Sequence, residues 1–90
     1  MELNHRLKVQ NDLGLHARSA AKIVELVGHY RSRLLLKKDD KEVDGSNILS
    51  ILTLACPKGT ELEARVIGED ADLLLRALTE LFHRKFGENK

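Results

Sequence analysis

The chain is short of the residues that build staples, metal cages and stacking platforms. Its 90 residues include one cysteine, one proline, one tyrosine, two phenylalanines and no tryptophan. A lone thiol, Cys56, cannot close an internal disulfide, and neither CxxC nor Cys/His zinc spacing occurs, so no metal site is expected. The aromatics Tyr30, Phe82 and Phe86 all lie outside the alternating segments, which leaves sheet-based stacking of single-stranded RNA without its platform. A Gly-rich ligand loop is also lacking, and no cofactor is expected. No apolar run approaches the roughly 20 residues of a membrane span. The opening Met1-Glu2-Leu3-Asn4-His5-Arg6 has no apolar core of the signal-peptide type. Fifteen basic residues balance fourteen acidic ones without a run of like charge, so nothing draws the chain to nucleic acid in general. These absences lead to the expectation of one cytoplasmic domain over residues 1–90 with no membrane insertion.

What is present is periodicity. Leu3, His5, Leu7 and Val9 alternate with Glu2, Asn4, Arg6 and Lys8, which predicts a half-buried strand. Asn11-Asp12-Leu13-Gly14 supplies turn chemistry. Ala17, Ala20, Ile23, Val24 and Val27 then recur at helical spacing up to a stop at Gly28. Residues 33–37 read as a short buried strand, Asp39-Asp40 as a tight turn and Lys41–Asp44 as the returning strand. A short second helix is expected to start at Asn47 as N-cap and to carry Ile48, Leu49, Ile51, Leu52 and Leu54. After Pro57-Lys58-Gly59 comes a strand at 60–67. The last helix, about 70–85, has a stripe of Leu73, Leu74, Ala77, Leu78, Leu81 and Phe82. Acidic residues at its start and basic ones at its end suit the helix dipole. The order is β-α-β-β-α-β-α. Alternating strands need one covered face, so an α/β (α+β) two-layer open-faced sandwich follows: a four-stranded antiparallel sheet with three helices on one side.

His16 stands where the first strand gives way to the first helix. Four N–H groups at a helix start lack partners within the helix, and the dipole there favours negative charge. Arg18 adds a planar, permanently charged donor. A neutral imidazole is a nucleophile near pH 7, so the grouping suits a histidine that takes up a phosphoryl group and passes it on. Read from the residues alone, His16 is either such a nucleophile or a cap. A metal ligand is a weaker reading, since no second ligand lies one turn away. His5 is expected to be a satisfied core or edge histidine, and Cys56 a small buried apolar residue.

Gly14-Leu15-His16-Ala17-Arg18-Ser19-Ala20-Ala21 resembles the active-site signature of HPr, the histidine phosphocarrier of the bacterial phosphotransferase system. Asn47-Ile48-Leu49-Ser50-Ile51-Leu52-Thr53-Leu54, followed by Lys58-Gly59, is similar to that family's second motif. The resemblance implies a monomeric carrier that accepts phosphate on His16 from enzyme I, itself charged by phosphoenolpyruvate. It then passes the group to a IIA domain of a sugar permease or of a regulatory branch. Arg18 would assist, with Ala17 and Ser19 supporting the first turn. Partners would dock on Ala17, Ala21, Ile48, Leu49 and Leu52. Such a protein is a stoichiometric carrier, not a stand-alone turnover enzyme. The alternative is a regulatory interaction protein whose His16 phosphorylation state is sensed by partners.

Three positions depart from the family's pattern. Ser19 stands where proline is usual, and its hydroxyl is expected to tune transfer, reaching toward the phosphate. Asn47 stands at the position of a regulatory serine. It keeps the capping role but offers no hydroxyl to a kinase, and neither Ser46 nor Ser50 aligns with that position. Glu25 lies on a helix that often carries basic residues toward partners.

Overall fold

Alternation in the strands decides the architecture. A computed structural model describes residues 1–90. Four strands, β1 (Glu2–Lys8), β2 (Arg33–Lys38), β3 (Lys41–Asp44) and β4 (Glu61–Ile67), pair antiparallel in the order β1-β4-β2-β3. Helices α1 (Ala17–Val27), α2 (Ile48–Leu52) and α3 (Ala71–His83) complete the fold, followed by a short 3-10 turn at Lys85–Gly87. The expected open-faced sandwich is what the chain adopts.

Register keeps like with like. Leu7 lies opposite Leu62, and Val66 faces Leu3 on one side and Leu34 on the other; Ala64 is paired with Leu36. Leu34, Leu36, Leu62, Ala64 and Val66 are buried under the helices together with Ala20, Ile23, Leu74, Leu78 and Phe82. The alternate residues lie on the open face, where Arg65 makes a two-pronged contact with Glu42 at 2.9 and 3.2 Å. A shift of one residue in any central strand would exchange these two sets, which fixes the pairing.

Helix ends are satisfied by specific side chains. Asn47 caps α2 by accepting from the Ser50 N–H at 3.1 Å. At the other end of α2, the Lys38 ammonium donates to the carbonyls of Leu54 and Ala55, matching a cation to the negative end of the helix. Asp70 precedes α3 yet makes no capping bond. Its carboxylate instead accepts from the backbone N–H groups of Arg31 and Ser32 and from the Ser32 hydroxyl. These bonds, the Ser32 hydroxyl's foremost, hold its pKa below the ordinary aspartate value.

Of the two places expected for His5, core or edge, it takes the edge, exposed on the outer strand β1. Two expectations are corrected. Leu73 is 52% exposed, so the buried stripe of α3 runs Ala71, Leu74, Leu78, Phe82 with Leu73 to one side. The last helix stops at His83, not near 85. Lys85, Phe86 and Gly87 all take positive φ (56°, 57° and 77°) and turn the chain back toward α1. The two side-chain-bearing residues hold this left-handed conformation because Phe86 is buried, edge-on to Phe82 with ring centroids 4.9 Å apart. Cys56 is buried as expected, and burial pushes its thiol pKa up.

Phe86→Ala is expected to destabilise the protein by about 3–5 kcal/mol, whereas Leu73→Ala costs under about 0.5 kcal/mol. Urea denaturation of the two variants reads this difference directly.

Candidate functional site

The loop before α1 is pinned from below. Gly14 has φ +71°, and a Cβ there would lie 2.4 Å from the Cys56 carbonyl oxygen and 2.9 Å from Pro57 Cα. Only glycine permits both the backbone angle and the close approach. The next residue secures that approach, since the Leu15 N–H donates to the Cys56 carbonyl at 2.8 Å. Pro57 and its neighbours therefore form the floor on which His16 is set.

His16 is the N-cap of α1. Its Nδ1 accepts from the Arg18 backbone N–H at 3.2 Å, and its own N–H donates to Ser19 Oγ at 2.9 Å. Ser19 in turn donates toward the carbonyls of Gly14 and His16, both at 3.1 Å. Ser19 is fully buried, so its hydroxyl is spent inside the capping box and does not reach outward toward a phosphate. That corrects the expected reach of the hydroxyl and explains how serine replaces proline: it stabilises the first turn by hydrogen bonds instead of by a fixed φ.

The other ring nitrogen meets a residue from the far end of the chain. His16 Nε2 lies 2.5 Å from Glu88 Oε2. The second Glu88 oxygen accepts from Asn11 Nδ2 at 2.9 Å, and the same amide donates to the Gly14 carbonyl at 2.8 Å. Lys22 Nζ holds the Phe86 carbonyl at 2.5 Å, and the Asp12 N–H donates to the Lys90 carbonyl at 3.0 Å. The returning tail is thus tied to the loop and to α1 on both sides of Glu88.

These partners dictate the ring's protonation. A backbone N–H only donates and a carboxylate only accepts. A neutral His16 must therefore carry its hydrogen on Nε2 and keep its lone pair on Nδ1, facing the helix start. Burial alone would raise the Glu88 pKa. The bonds from Asn11 and His16, with the charges of His16 and Arg18, outweigh burial and hold it below the ordinary glutamate value. The Arg18 side chain is exposed and forms no ion pair.

Several apolar side chains of the loop before α1, of α1 and of α2 are left uncovered or half-covered. Leu49 is 74% exposed and Leu13 69% exposed; Ile48 and Ala17 are exposed, while Ala21 and Leu52 are half-buried. Of the apolar residues following Asn47, Ile51 and Leu54 enter the core and Leu49 does not. Helices α1 and α2 pack against each other. Leu13, Asn11 and Glu88 were not singled out as site residues by sequence. No local pattern signals the last, whose partner His16 is 72 residues away. No three metal-ligating side chains converge anywhere, and no helix is long and apolar enough to cross a membrane.

Comparison with known proteins decides the family. The profile described as PTS HPr component phosphorylation site matches residues 3–84. The chain belongs to the HPr family, the phosphocarriers of the phosphotransferase system. It is 39% identical over 87 residues to the phosphocarrier protein HPr of Xylella fastidiosa, covering 97% of this chain and 98% of that one. The HPr of Neisseria meningitidis is 35% identical over 88 residues, covering 98% and 99%. A crystal structure of HPr from Thermoanaerobacter tengcongensis superposes with a TM-score of 0.93 at 31% identity, over 98% of this chain and 99% of that one. The open-faced sandwich is therefore the HPr fold.

Glu88 links this site to acidity. Its folded pKa is depressed, so the stability it contributes is present above the ordinary glutamate value and lost as pH falls through the folded value. Glu88→Gln is expected to lose less stability than the unchanged protein as acidification carries the pH through and below the ordinary glutamate value. Urea midpoints across that range check the sign.

Proposed function

We propose that His16 is the phosphoryl acceptor of this carrier, with Nδ1 as the attacking atom. The supporting observation is the pair of ring partners: a donor at Nδ1 and an acceptor at Nε2 leave the lone pair on the nitrogen that faces the helix start. The donor is phospho-enzyme I. The Nδ1 lone pair forms a bond to phosphorus, the donor's bond to phosphorus breaks, and the donor keeps that electron pair. Transfer to a IIA domain reverses the sequence, returning the pair to Nδ1.

The surroundings suit brief tenure of a dianion. The Arg18 N–H that bonds Nδ1 in the resting ring is free to turn to a phosphoryl oxygen once Nδ1 is occupied, and the dipole of α1 adds a favourable field. The exposed Arg18 side chain carries the only full charge on the first turn. Three weak supports of this kind hold a phosphoryl group without trapping it.

Reactants come as proteins. A cleft of about 430 Å³ between α1 and α3, lined by residues such as Lys22, Leu26, Leu81 and Phe86, contains neither His16 nor Arg18. The half-exposed His16 and the uncovered apolar residues Ala17, Ile48 and Leu49, with half-buried Ala21 and Leu52, support docking of a protein surface instead. In this reading these residues dock enzyme I and IIA domains in turn, and the protein works as a monomer in the cytoplasm over residues 1–90. Asn47 keeps α2 capped and offers no hydroxyl for a kinase to modify.

Incubation with enzyme I, magnesium and phosphoenolpyruvate is expected to add one phosphate that is acid-labile, alkali-stable and absent from His16→Ala, as read by intact mass. No phosphate on the unchanged protein overturns the reading and favours a purely regulatory binding role. Arg18→Ala is expected to slow transfer about tenfold to a hundredfold while leaving the urea midpoint nearly unchanged, because the exposed side chain is in no ion pair and its charge-assisted contact to the phosphoryl group is removed. Rapid-quench measurement of phosphate arrival tests it.

A further inference from the structure

Glu88 is built into the site more firmly than a chance surface pair would be. Its side chain is 11% exposed, although it lies on a tail beyond the last helix. Both carboxylate oxygens are used, one by His16 and one by the fully buried Asn11. The tail reaches this place only by three successive residues in the left-handed region, two of them not glycine, anchored by the buried Phe86 ring. Backbone held in such a conformation calls for an explanation at the point it delivers, and that point is Nε2 of His16.

We infer that Glu88 is a positioning residue for phosphoryl transfer through His16, holding the ring hydrogen on Nε2 in both the free and the phosphorylated states. The inference rests on the carrier reading given above. In the free ring, the Nε2–H bond to the carboxylate fixes the ring plane and keeps the Nδ1 lone pair pointed at the helix start. When Nδ1 bonds phosphorus, the ring becomes a cation whose remaining hydrogen is still shared with Glu88. When the phosphoryl group departs, the bonding pair returns to Nδ1 and the leaving group is neutral imidazole. Had the hydrogen been lost, the leaving group would be imidazolate, a far poorer one. No proton enters or leaves in either direction; Glu88 only keeps it in place. The two ring nitrogens point to different sides, so the carboxylate and the phosphoryl group do not compete for one position.

Sequence neighbours add to this role without replacing it. Asn11 orients Glu88 and the Gly14 carbonyl with the same amide, so the carboxylate and the loop bearing His16 move as one unit. The Arg18 charge also favours the ionised carboxylate.

The test uses Glu88→Ala and Glu88→Gln in the full chain. Two-bond nitrogen–proton spectra of the His16 ring, recorded where the ring is neutral, are expected to show the single Nε2–H form in the unchanged protein. Glu88→Ala should show a mixture of both forms, and Glu88→Gln, whose amide oxygen still accepts, should fall between. Single-turnover phosphoryl transfer should slow in both directions by roughly threefold to tenfold in Glu88→Ala, the scale of one hydrogen bond. The concentration of enzyme I giving half the maximal rate should not change. A urea midpoint on each variant establishes that it is folded. If the unchanged protein is phosphorylated on His16 while Glu88→Ala matches it in ring spectrum and in both rates, the Glu88 role is overturned and the carrier reading stands. If the unchanged protein takes no phosphate, the carrier reading falls and this inference falls with it.

Discussion

The hydrogen bond from the Arg18 N–H to His16 Nδ1 is the contact from which the rest of the site is laid out. A helix start must find acceptors for its free N–H groups, and here the acceptor is an imidazole instead of the usual hydroxyl or carboxamide. That choice gives one side chain two duties. As a cap it is held in one orientation, with its ring close to the start of the helix. As a base it retains an unshared pair on the nitrogen that does the capping. Everything nearby follows from keeping this cap in register: glycine at position 14 so that the loop can lie against Cys56 and Pro57, and Ser19 below to close the reciprocal bond.

The sheet and the tail supply the rigidity that a two-duty residue needs. The floor under Gly14 is the segment just after α2, and it is steady because Ile51, Leu54 and Cys56 are buried in the same core as β2 and β4. The Phe82–Phe86 pair holds the returning chain against α3, and Lys22 ties it to α1. Opposite constraints act on the surface around the ring. Leu49 and Leu13 remain uncovered, and the Arg18 side chain is unpaired, so a large surface can approach without first displacing anything. Rigid below and open above is a sound arrangement for a group that must meet more than one protein.

The elements that sequence reading recovered were those governed by local rules. Strict alternation in 61–67 and the 3.6 period in 17–27 each point to one structure, and both are present with their ends within a residue or two. The Asn47 cap was legible for the same reason: the acceptor and the N–H it satisfies are three residues apart. His5 was left between core and edge because alternation assigns a face but not the distance from the sheet's edge, and β1 is an edge strand. Leu73 was misplaced because a stripe drawn through every apolar residue of α3 is wider than the groove that receives it. Glu88 lay beyond local rules altogether. Its partner is 72 positions away, and nothing in Gly87-Glu88-Asn89-Lys90 distinguishes it from a frayed end. Ser19 shows a subtler limit: its place in the first turn is plain in the sequence, but the inward direction of its hydroxyl is set by the folded loop.

The strand order has a consequence for how the molecule is made. The order β1-β4-β2-β3 places the first strand against the last, so β1 has no hydrogen-bonded neighbour until residues 61–67 have been synthesised. Pairing across such a separation costs loop-closure entropy before it is rewarded, which puts folding in the slower part of the range for small proteins. A nascent chain emerging from the ribosome has the histidine within its first twenty residues, but the floor beneath it arrives at Pro57 and the carboxylate beside it at Glu88. An unfinished chain therefore carries the reactive residue without the surroundings that set its reactivity, and the site exists only in the completed fold.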